Sequence, residues 1–245
     1  MAIITTPSLR QAGSISSIAT GSLTVAQPIS VGIDDVLVLV VCTANDVFAT
    51  WPPTGWTEAP TPPTGFGTAG AAGGLRLFVA WKRATATTGN AVAMGNPGAT
   101  NNYTVGGMFA IQGVARRGNP WEASATSNQT TASTAVSFNS ITTLGPQRFI
   151  FHCLGGDADT TSSAMVTNTG AGSWVNSNAN LVSPTERGDS WTASGAGGGI
   201  TVGTATKTLA GAIGASTITL ATSQVHSKWV GALRPVESHS RFIVF

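Results

Sequence analysis

Apolar and polar positions alternate along this chain in the manner of β-strands. Clusters of β-branched and aromatic residues are separated by Gly, Pro, Asn and Thr, which is typical of short strands joined by turns. Few segments have a helical period. The pattern predicts strands at Ser14–Ala19, Ser22–Val25, Val36–Ala44, Leu75–Arg83, Ala91–Met94, Thr104–Gln112, Ala135–Phe138, Phe149–Leu154, Asp189–Ala193, Ile200–Thr204, Ser216–Ala221 and Lys228–Leu233.

The apolar patterns of two of these strands predict different degrees of burial. Val36–Val41 is apolar at consecutive positions, which requires cover on both faces and predicts a central strand. Leu75, Leu77 and Val79 alternate with other residues and fit a more exposed, flanking strand. With no crossover helices in the pattern, the economical architecture is a β-sandwich or jelly roll.

The chain also repeats itself. DDVLVLVVCTAND (34–46) and PQRFIFHCLGGDAD (146–159) both reach a cysteine and then enter a polar loop. A tryptophan turn, an aromatic segment and a closing apolar strand follow each of them. We therefore predict an all-β fold with few or no helices, in which 14–236 form a single jelly-roll-like β-sandwich domain. Its similar halves are about 29–114 and 146–236, with an N-terminal arm at 1–13 and an apolar C-terminal tail at 237–245.

The inward positions of the main strands predict the core, and the cysteines belong to it. Cys42 and Cys153 occupy matching places in the two halves. Two buried free thiols are favoured over a disulfide, because cysteine is commonly a small core residue. The other predicted core residues are Val38, Val40, Leu77, Val79, Phe109, Ile111, Phe149, Phe151, Trp229 and Leu233.

Charge is scarce. Charged residues make up 9% of the chain, against about 25% in an average soluble protein. Such a surface suits packing against neighbours, because few ionic groups must lose water on docking; a genome biased toward Gly and Ala is the alternative explanation. The net charge of +2 is too small to predict nucleic-acid binding. No apolar run reaches bilayer length and no secretory signal precedes the domain, so we expect synthesis in the cytoplasm without membrane insertion.

Residues with catalytic chemistry are dispersed. His152, His226 and His239 lie in different segments without metal-site spacing. His152 and Cys153 are adjacent, so their side chains point to opposite faces of a strand. Asp157 and Asp159 fit a solvated turn better than a calcium loop. We predict a protein that is not an enzyme and carries no metal or cofactor.

Aromatic residues in turns are the candidate contact surface. The segment 51–74 holds five prolines and six glycines, and loops of this length are commonly functional. The candidate partner or glycan contacts are Trp51, Trp56, Phe66, Trp121 and Trp174, although turn indoles also pin loops to a core. The apolar tail residues Phe242, Ile243, Val244 and Phe245 either fold into their own core or add to a neighbouring subunit.

A set of landmarks gives the chain a family resemblance. DDVLVLVV, PPTGWTEA, GLRLFVAWKRATA, MFAIQGV, QRFIFHCLGG and KWVGALRPV occur in that order. Together, over roughly 29–236, they resemble a repetitive β-sandwich domain of structural proteins of tailed bacteriophages and of some bacterial surface proteins. The resemblance implies a minor tail, fibre or head-decoration component and no catalytic residues. Thr87 and Thr88 stand where the family usually has an acidic residue.

These observations lead to one functional hypothesis and two alternatives. The leading hypothesis is a non-enzymatic phage virion structural protein that acts through oligomer assembly and surface adhesion. It would form a homo-oligomer, with a trimer favoured, and contact other virion proteins. The first alternative is a carbohydrate-binding module that recognises host surface glycans through loop tryptophans. The second is a depolymerase or other hydrolase, which would need two carboxylates facing one cleft.

Overall fold

The structure is a computed structural model that describes residues 3–86, 91–98, 102–160, 175–176 and 181–238. These ranges contain strands and no helix, and so no helix capable of crossing a membrane. The strands are β1 Ile3–Thr5, β2 Ser8–Ala12, β3 Ser16–Ile18, β4 Thr24–Val25, β5 Val36–Thr43, β6 Thr57–Glu58, β7 Arg76–Arg83, β8 Val92–Ala93, β9 Thr104–Gln112, β10 Trp121–Ser137, β11 Thr142–Thr143, β12 Arg148–Gly156, β13 Val175–Asn176, β14 Leu181–Thr192, β15 Gly198–Lys207, β16 Gly211–Ala212, β17 Ser216–Leu233 and β18 Val236–Ser238.

Two antiparallel sheets contain most of these strands. Sheet one has the order β2-β9-β5-β7-β6, with β3 also paired to β9. Sheet two has the order β10-β17-β12-β15-β14, with β13 also paired to β17. Numbered within each half, the strands of both sheets follow the order first, fifth, second, fourth, third. The two halves of the chain therefore build sheets with the same strand order.

The inner faces of the two sheets pack against each other, which confirms the β-sandwich prediction. One apolar cluster draws on both sheets and contains all ten aliphatic and aromatic core residues predicted above. Phe109 of sheet one meets Phe151 of sheet two edge to face, with ring centroids 5.6 Å apart. The jelly-roll detail is not confirmed, because each sheet takes its main strands from one half of the chain, whereas Greek-key connections cross between sheets.

Loops cover the outer face of sheet one. Phe48, Trp56 and Met94 pack over the outward side chains of β5, and all eight residues of β5 are buried. The prediction of a central strand is thus correct. The prediction that β7 is more exposed is wrong at Phe78 and Ala80, which are both buried; the ring of Trp51 covers Phe78 at 4.7 Å.

The outer face of sheet two has a different cover, formed by its own longest strands. β10 and β17 span 17 and 18 residues, and register shifts interrupt their pairing. Asn139 Nδ2 donates to the carbonyl oxygen of Thr126 at 3.0 Å, so the chain after β10 returns alongside that strand. Phe138, Ile218 and other residues of this region pack on the sheet's outer face.

The N-terminal segment belongs to the domain rather than forming a free arm. β2 pairs with β9 at the edge of sheet one, and β1 pairs with β18. Strand formation within the chain satisfies backbone groups that an arm would leave to a neighbour.

Both central strands run in the same direction, which gives the sandwich two distinct ends. Cys42, near the end of β5, lies so close to Gly155, near the end of β12, that a Cβ on Gly155 would be 2.7 Å from the cysteine sulfur. We call this the trailing end. The opposite end, where β5 and β12 begin and where Val114 bridges to Pro235, is the leading end.

Candidate functional site

A cleft of about 380 Å³ opens at the leading end, between β2, the β1–β18 pair and the segments that flank β5 and follow β9. One wall is fixed by an ion pair, in which Arg10 Nε and Nη2 donate to the Asp35 carboxylate at 2.5 and 3.2 Å. The backbone N–H of Gly32 donates to the same carboxylate at 2.7 Å. The cleft is therefore a preformed feature of the leading end.

Exposed apolar side chains surround this cleft. Ile33 lines it and is 64% exposed, and Ile29, in the same loop, is 92% exposed. Leu144 and Leu209 are 83% and 65% exposed. They flank Gln147, whose N–H donates to the Thr208 carbonyl and whose amide oxygen accepts from Thr6 of the cleft. Val182 also lies at this end, because its partner Thr206 precedes Lys207, which pairs with Arg148 at the start of β12. Five of the six exposed large hydrophobic residues in the described ranges thus lie at the leading end.

The tryptophans of the turns divide into buried and half-buried groups. Trp56 and Trp121 are 8% and 4% exposed, so their rings pin loops and do not present a face to a partner. Trp51 and Phe66 are half-buried and pack beside the core clusters. The predicted aromatic contact surface therefore narrows to Trp51 and Phe66, because the other two rings are needed inside.

Trp174 and the tail residues Phe242, Ile243, Val244 and Phe245 lie outside the described residues. The described chain continues to Ser238, where β18 ends after its pairing with β1. Val236, near the end of the described chain, lines the cleft.

Both cysteines are buried free thiols, as predicted. Burial raises the pKa of Cys42 to about 12, and burial also raises the pKa of Cys153. The Tyr103 hydroxyl lies 3.7 Å from the Cys42 sulfur and donates to the carbonyl oxygen of Gly156 at 3.2 Å. Both thiols are therefore protonated at neutral pH and act as packing groups in the central layer.

Two histidines lie on the outer side of sheet two. The ring of His152 meets Phe138 edge to face at 4.9 Å, whereas Cys153 belongs to the central cluster, so these neighbours point to opposite faces. Burial lowers the pKa of His152 to about 3. Burial and then the charge of Lys228 lower the pKa of His226 to about 4. Both imidazoles are neutral at physiological pH.

Two carboxylates of the sheet-two half make structural contacts. Glu122 forms a buried pair with Arg148, whose Nη2 and Nε donate at 2.6 and 2.8 Å. Burial alone would raise the pKa of Glu122, but hydrogen bonding and charge from Arg148 outweigh it and lower that pKa. Asp157 accepts from the N–H of Val225 at 3.1 Å. Across the described residues, no cluster of three or more His, Cys, Asp or Glu side chains could hold a metal ion.

The leading end was not singled out by the sequence. Its cleft is built by a segment interpreted as an arm, and the exposed residues Ile29 and Leu144 are isolated apolar positions in loops. The signal that could have drawn attention to this end is the pair Arg116-Arg117 in a chain with only 12 basic residues.

Comparisons with known proteins add no relative from which a site could be transferred. Neither protein-family models, nor curated proteins, nor solved structures gave a match to this chain.

Proposed function

We propose that this protein is a structural subunit that assembles with copies of itself through the leading end of its sandwich. The observation that carries the proposal is the group formed by Ile29, Ile33, Leu144 and Leu209, all more than half exposed, around the cleft. Large apolar side chains concentrated on one part of a surface mark interaction sites, since each loses contact with water on docking.

The composition supports the same role. With charged residues at 9% of the chain, most of the surface is built from hydroxyls, amides and small apolar groups. Docking such a surface removes few ions from water, and ion desolvation is the largest cost of burying a polar interface. A low charge density thus favours extensive contacts between subunits.

The interior supports a packing role as well. The thiols of Cys42 and Cys153 have raised pKa values, and the imidazoles of His152 and His226 have lowered ones. Each group is held in its neutral form, which suits a solvent-excluded layer. The function we propose is mechanical: a rigid sandwich that presents a docking surface.

The sequence resemblance supplies the proposed setting, a component of a tailed-phage virion. The partners would be other virion proteins and a homo-oligomer, with a trimer favoured. Virion tails or capsids that lack this protein should take it up when it is added in purified form. Failure to associate at any salt concentration would remove the virion setting while leaving self-assembly to be judged separately.

Self-assembly is tested by sedimentation velocity over a range of protein concentrations. The wild-type protein should form oligomers, and Ile33→Asp and Leu209→Asp should each shift it toward the monomer, because a charge would be buried in the contact. Val47→Asp is the matched control, since Val47 is 54% exposed but follows β5 at the trailing end. A wild-type monomer at all concentrations, or equal effects of all three variants, would contradict the proposal.

A second candidate function is glycan binding at sheet one. A cleft of about 260 Å³ is lined by Phe48, Thr50, Thr54 and Asn96 among others, and Trp51 stacks on Phe48 with ring centroids 5.9 Å apart. An aromatic wall with hydroxyl and amide groups fits a sugar ring. Glycan-array binding lost in Trp51→Ala and retained in Phe66→Ala would favour this candidate; an array with no signal would reject it.

A further inference from the structure

The connection between the two sheets is a loop of basic sequence, 115–120, held in place by Arg234. The backbone of Arg234 closes both sides of the loop, because the Ala115 N–H donates to its carbonyl oxygen at 2.9 Å and its own N–H donates to Pro120 at 3.0 Å. We call 115–120 the arginine loop. Arg234 directly follows β17, so these two backbone hydrogen bonds hold the loop against the end of that strand. The side chains of the loop therefore project from a fixed backbone.

Two guanidinium groups meet at this loop. Arg83 Nη2 donates to the carbonyl oxygen of Gly118 at 3.2 Å, and Arg234 Nη2 donates to the carbonyl oxygen of Asn119. Since these carbonyls belong to consecutive residues, the two cations are close neighbours. Burial lowers the pKa of Arg83; the charge of Asp34 opposes this change, and the nearby charge of Arg234 adds to it.

Each of these arginines also has a donor without an acceptor. Arg83 Nη1 and Arg234 Nε are shielded from solvent and have no hydrogen-bond partner among the described residues. Arginine stays protonated in proteins, and a buried donor left unpaired is costly. An anionic acceptor between or beside the two guanidiniums would supply the missing hydrogen-bond partner. It would also offset the repulsion between the two positive charges.

The surroundings are strongly positive. Arg116 and Arg117 of the loop are exposed, and the nearest carboxylate, that of Asp34, lies 3.7 Å from Arg116. Four guanidiniums against one carboxylate give 4 − 1 = 3 excess positive charges here, compared with +2 for the whole chain. The charge of Arg234 also contributes to the lowered pKa of Glu122, but Arg148 engages both oxygens of Glu122, so that pair is neutral as a whole and is left out of the count.

We propose that the arginine loop is a binding site for a tetrahedral oxyanion, a phosphate or sulfate group, held by Arg83 and Arg234 and exposed to solvent through Arg116 and Arg117. The planar fork of a guanidinium matches the oxygens of such a group and binds it through two hydrogen bonds. This site borders the leading-end cleft, which Asp34 and Arg116 also line, but its binding groups are guanidiniums, so binding does not require the apolar contacts of the assembly surface.

Calorimetric titration with inorganic phosphate, at an ionic strength held constant with sodium chloride, tests the site. Saturable binding should weaken roughly 10-fold or more in both Arg83→Gln and Arg234→Gln, because each removes one guanidinium fork. Arg83→Lys, which keeps the charge, should also bind weakly. Arg76→Gln is the matched control: this arginine donates to Asn45 at 3.3 Å near the trailing end, and its loss should leave phosphate binding unchanged.

A second experiment identifies whether the bound phosphate group belongs to a free ion or to a polymer. A short single-stranded oligonucleotide that binds more tightly than phosphate, with the gain lost in Arg116→Gln, would assign the group to a polymer, and equal affinities would assign it to a free ion. The proposal is overturned if phosphate gives no saturable heat, or if Arg76→Gln weakens binding as much as the two site variants. Melting curves of each variant without phosphate separate loss of the site from loss of the fold.

Discussion

The two sheets share a strand order but differ in what covers them. Outside sheet one lie loops that carry aromatic and aliphatic residues, including Phe48, Trp56 and Met94. Outside sheet two lies the return of the β10–β17 ribbon, and under it are the buried polar residues His152, Gln224 and His226. One strand order thus supports a largely apolar outer layer in one half and, in the other, an outer layer that includes buried histidines.

This difference shows where the two halves have freedom to vary. Each inner face must fit the other sheet, so both present large apolar groups to a common cluster. Each outer face needs only a cover, which can be a set of loops or a long ribbon. We infer that the repeated strand order specifies the sandwich, and that the covers and the connecting loop carry what is individual to this protein.

The largest expected effect comes from replacing Trp229. Its side chain lies on the inner face of sheet two and hydrogen-bonds to the half of the chain that forms sheet one. It is fully buried, and its Nε1 donates to Pro60 at 2.9 Å. Val105 is its counterpart, because each pairs with the cysteine of its own sheet. Trp229→Ala should lower the free energy of unfolding by about 3–5 kcal/mol, and Val105→Ala by about 2 kcal/mol. Urea denaturation measures both, and equal losses would mean that the halves are more alike than we infer.

The next effect is a pH dependence that only sheet two contributes. The unfolded pKa of histidine is about 6.5, and the folded values are about 3 for His152 and about 4 for His226. Below pH 6.5 unfolding takes up protons, so the contribution to stability is complete above that pH and is lost as the pH falls toward 4.

Between pH 6 and 5 the two histidines should together lower the free energy of unfolding by about 2 kcal/mol. Denaturant titrations at both pH values measure the change. His226→Gln should remove about half of the pH dependence, whereas a dependence that is the same in this variant and in the wild type would assign it to other groups.

The smallest effect compares two glycines on inner faces. A Cβ on Gly231 of β17 would lie 2.2 Å from the Trp229 ring, whereas one on Gly107 of β9 would lie 3.0 Å from Ile15. Gly231→Ala should therefore destabilise the fold by about 1–3 kcal/mol through overpacking, and Gly107→Ala by less. Thermal melting of both variants gives the comparison, and a larger loss for Gly107→Ala would show that Trp229 can move aside.

Sequence patterns predicted the sandwich because its inner strands are continuous apolar runs. Val36–Val41 required cover on both faces, and Thr104–Gln112 matched β9 to the residue. The exposure of β7 was mispredicted because the residues that cover Phe78 come from a distant loop. The sequence predicted only the last part of β10, because the Ser and Thr residues of this strand alternate without large apolar groups.

The candidate site was harder to predict than the fold. Trp56 and Trp121 lie in loops or at a strand boundary by sequence, yet both are buried, because an indole that is close to a core packs into it. The leading-end cleft combines residues from the first few strands and from β18, and their proximity depends on long-range strand pairing. No local pattern encodes that pairing.

Amide hydrogen exchange on dilute and on assembled protein tests the central claim that the leading end is the docking surface. Assembly should slow exchange in 27–35, 142–147 and 207–211, and leave 66–74 and 193–197 at the trailing end unchanged. Protection confined to the trailing end, or exchange that is the same in both samples throughout the leading end, would contradict the account.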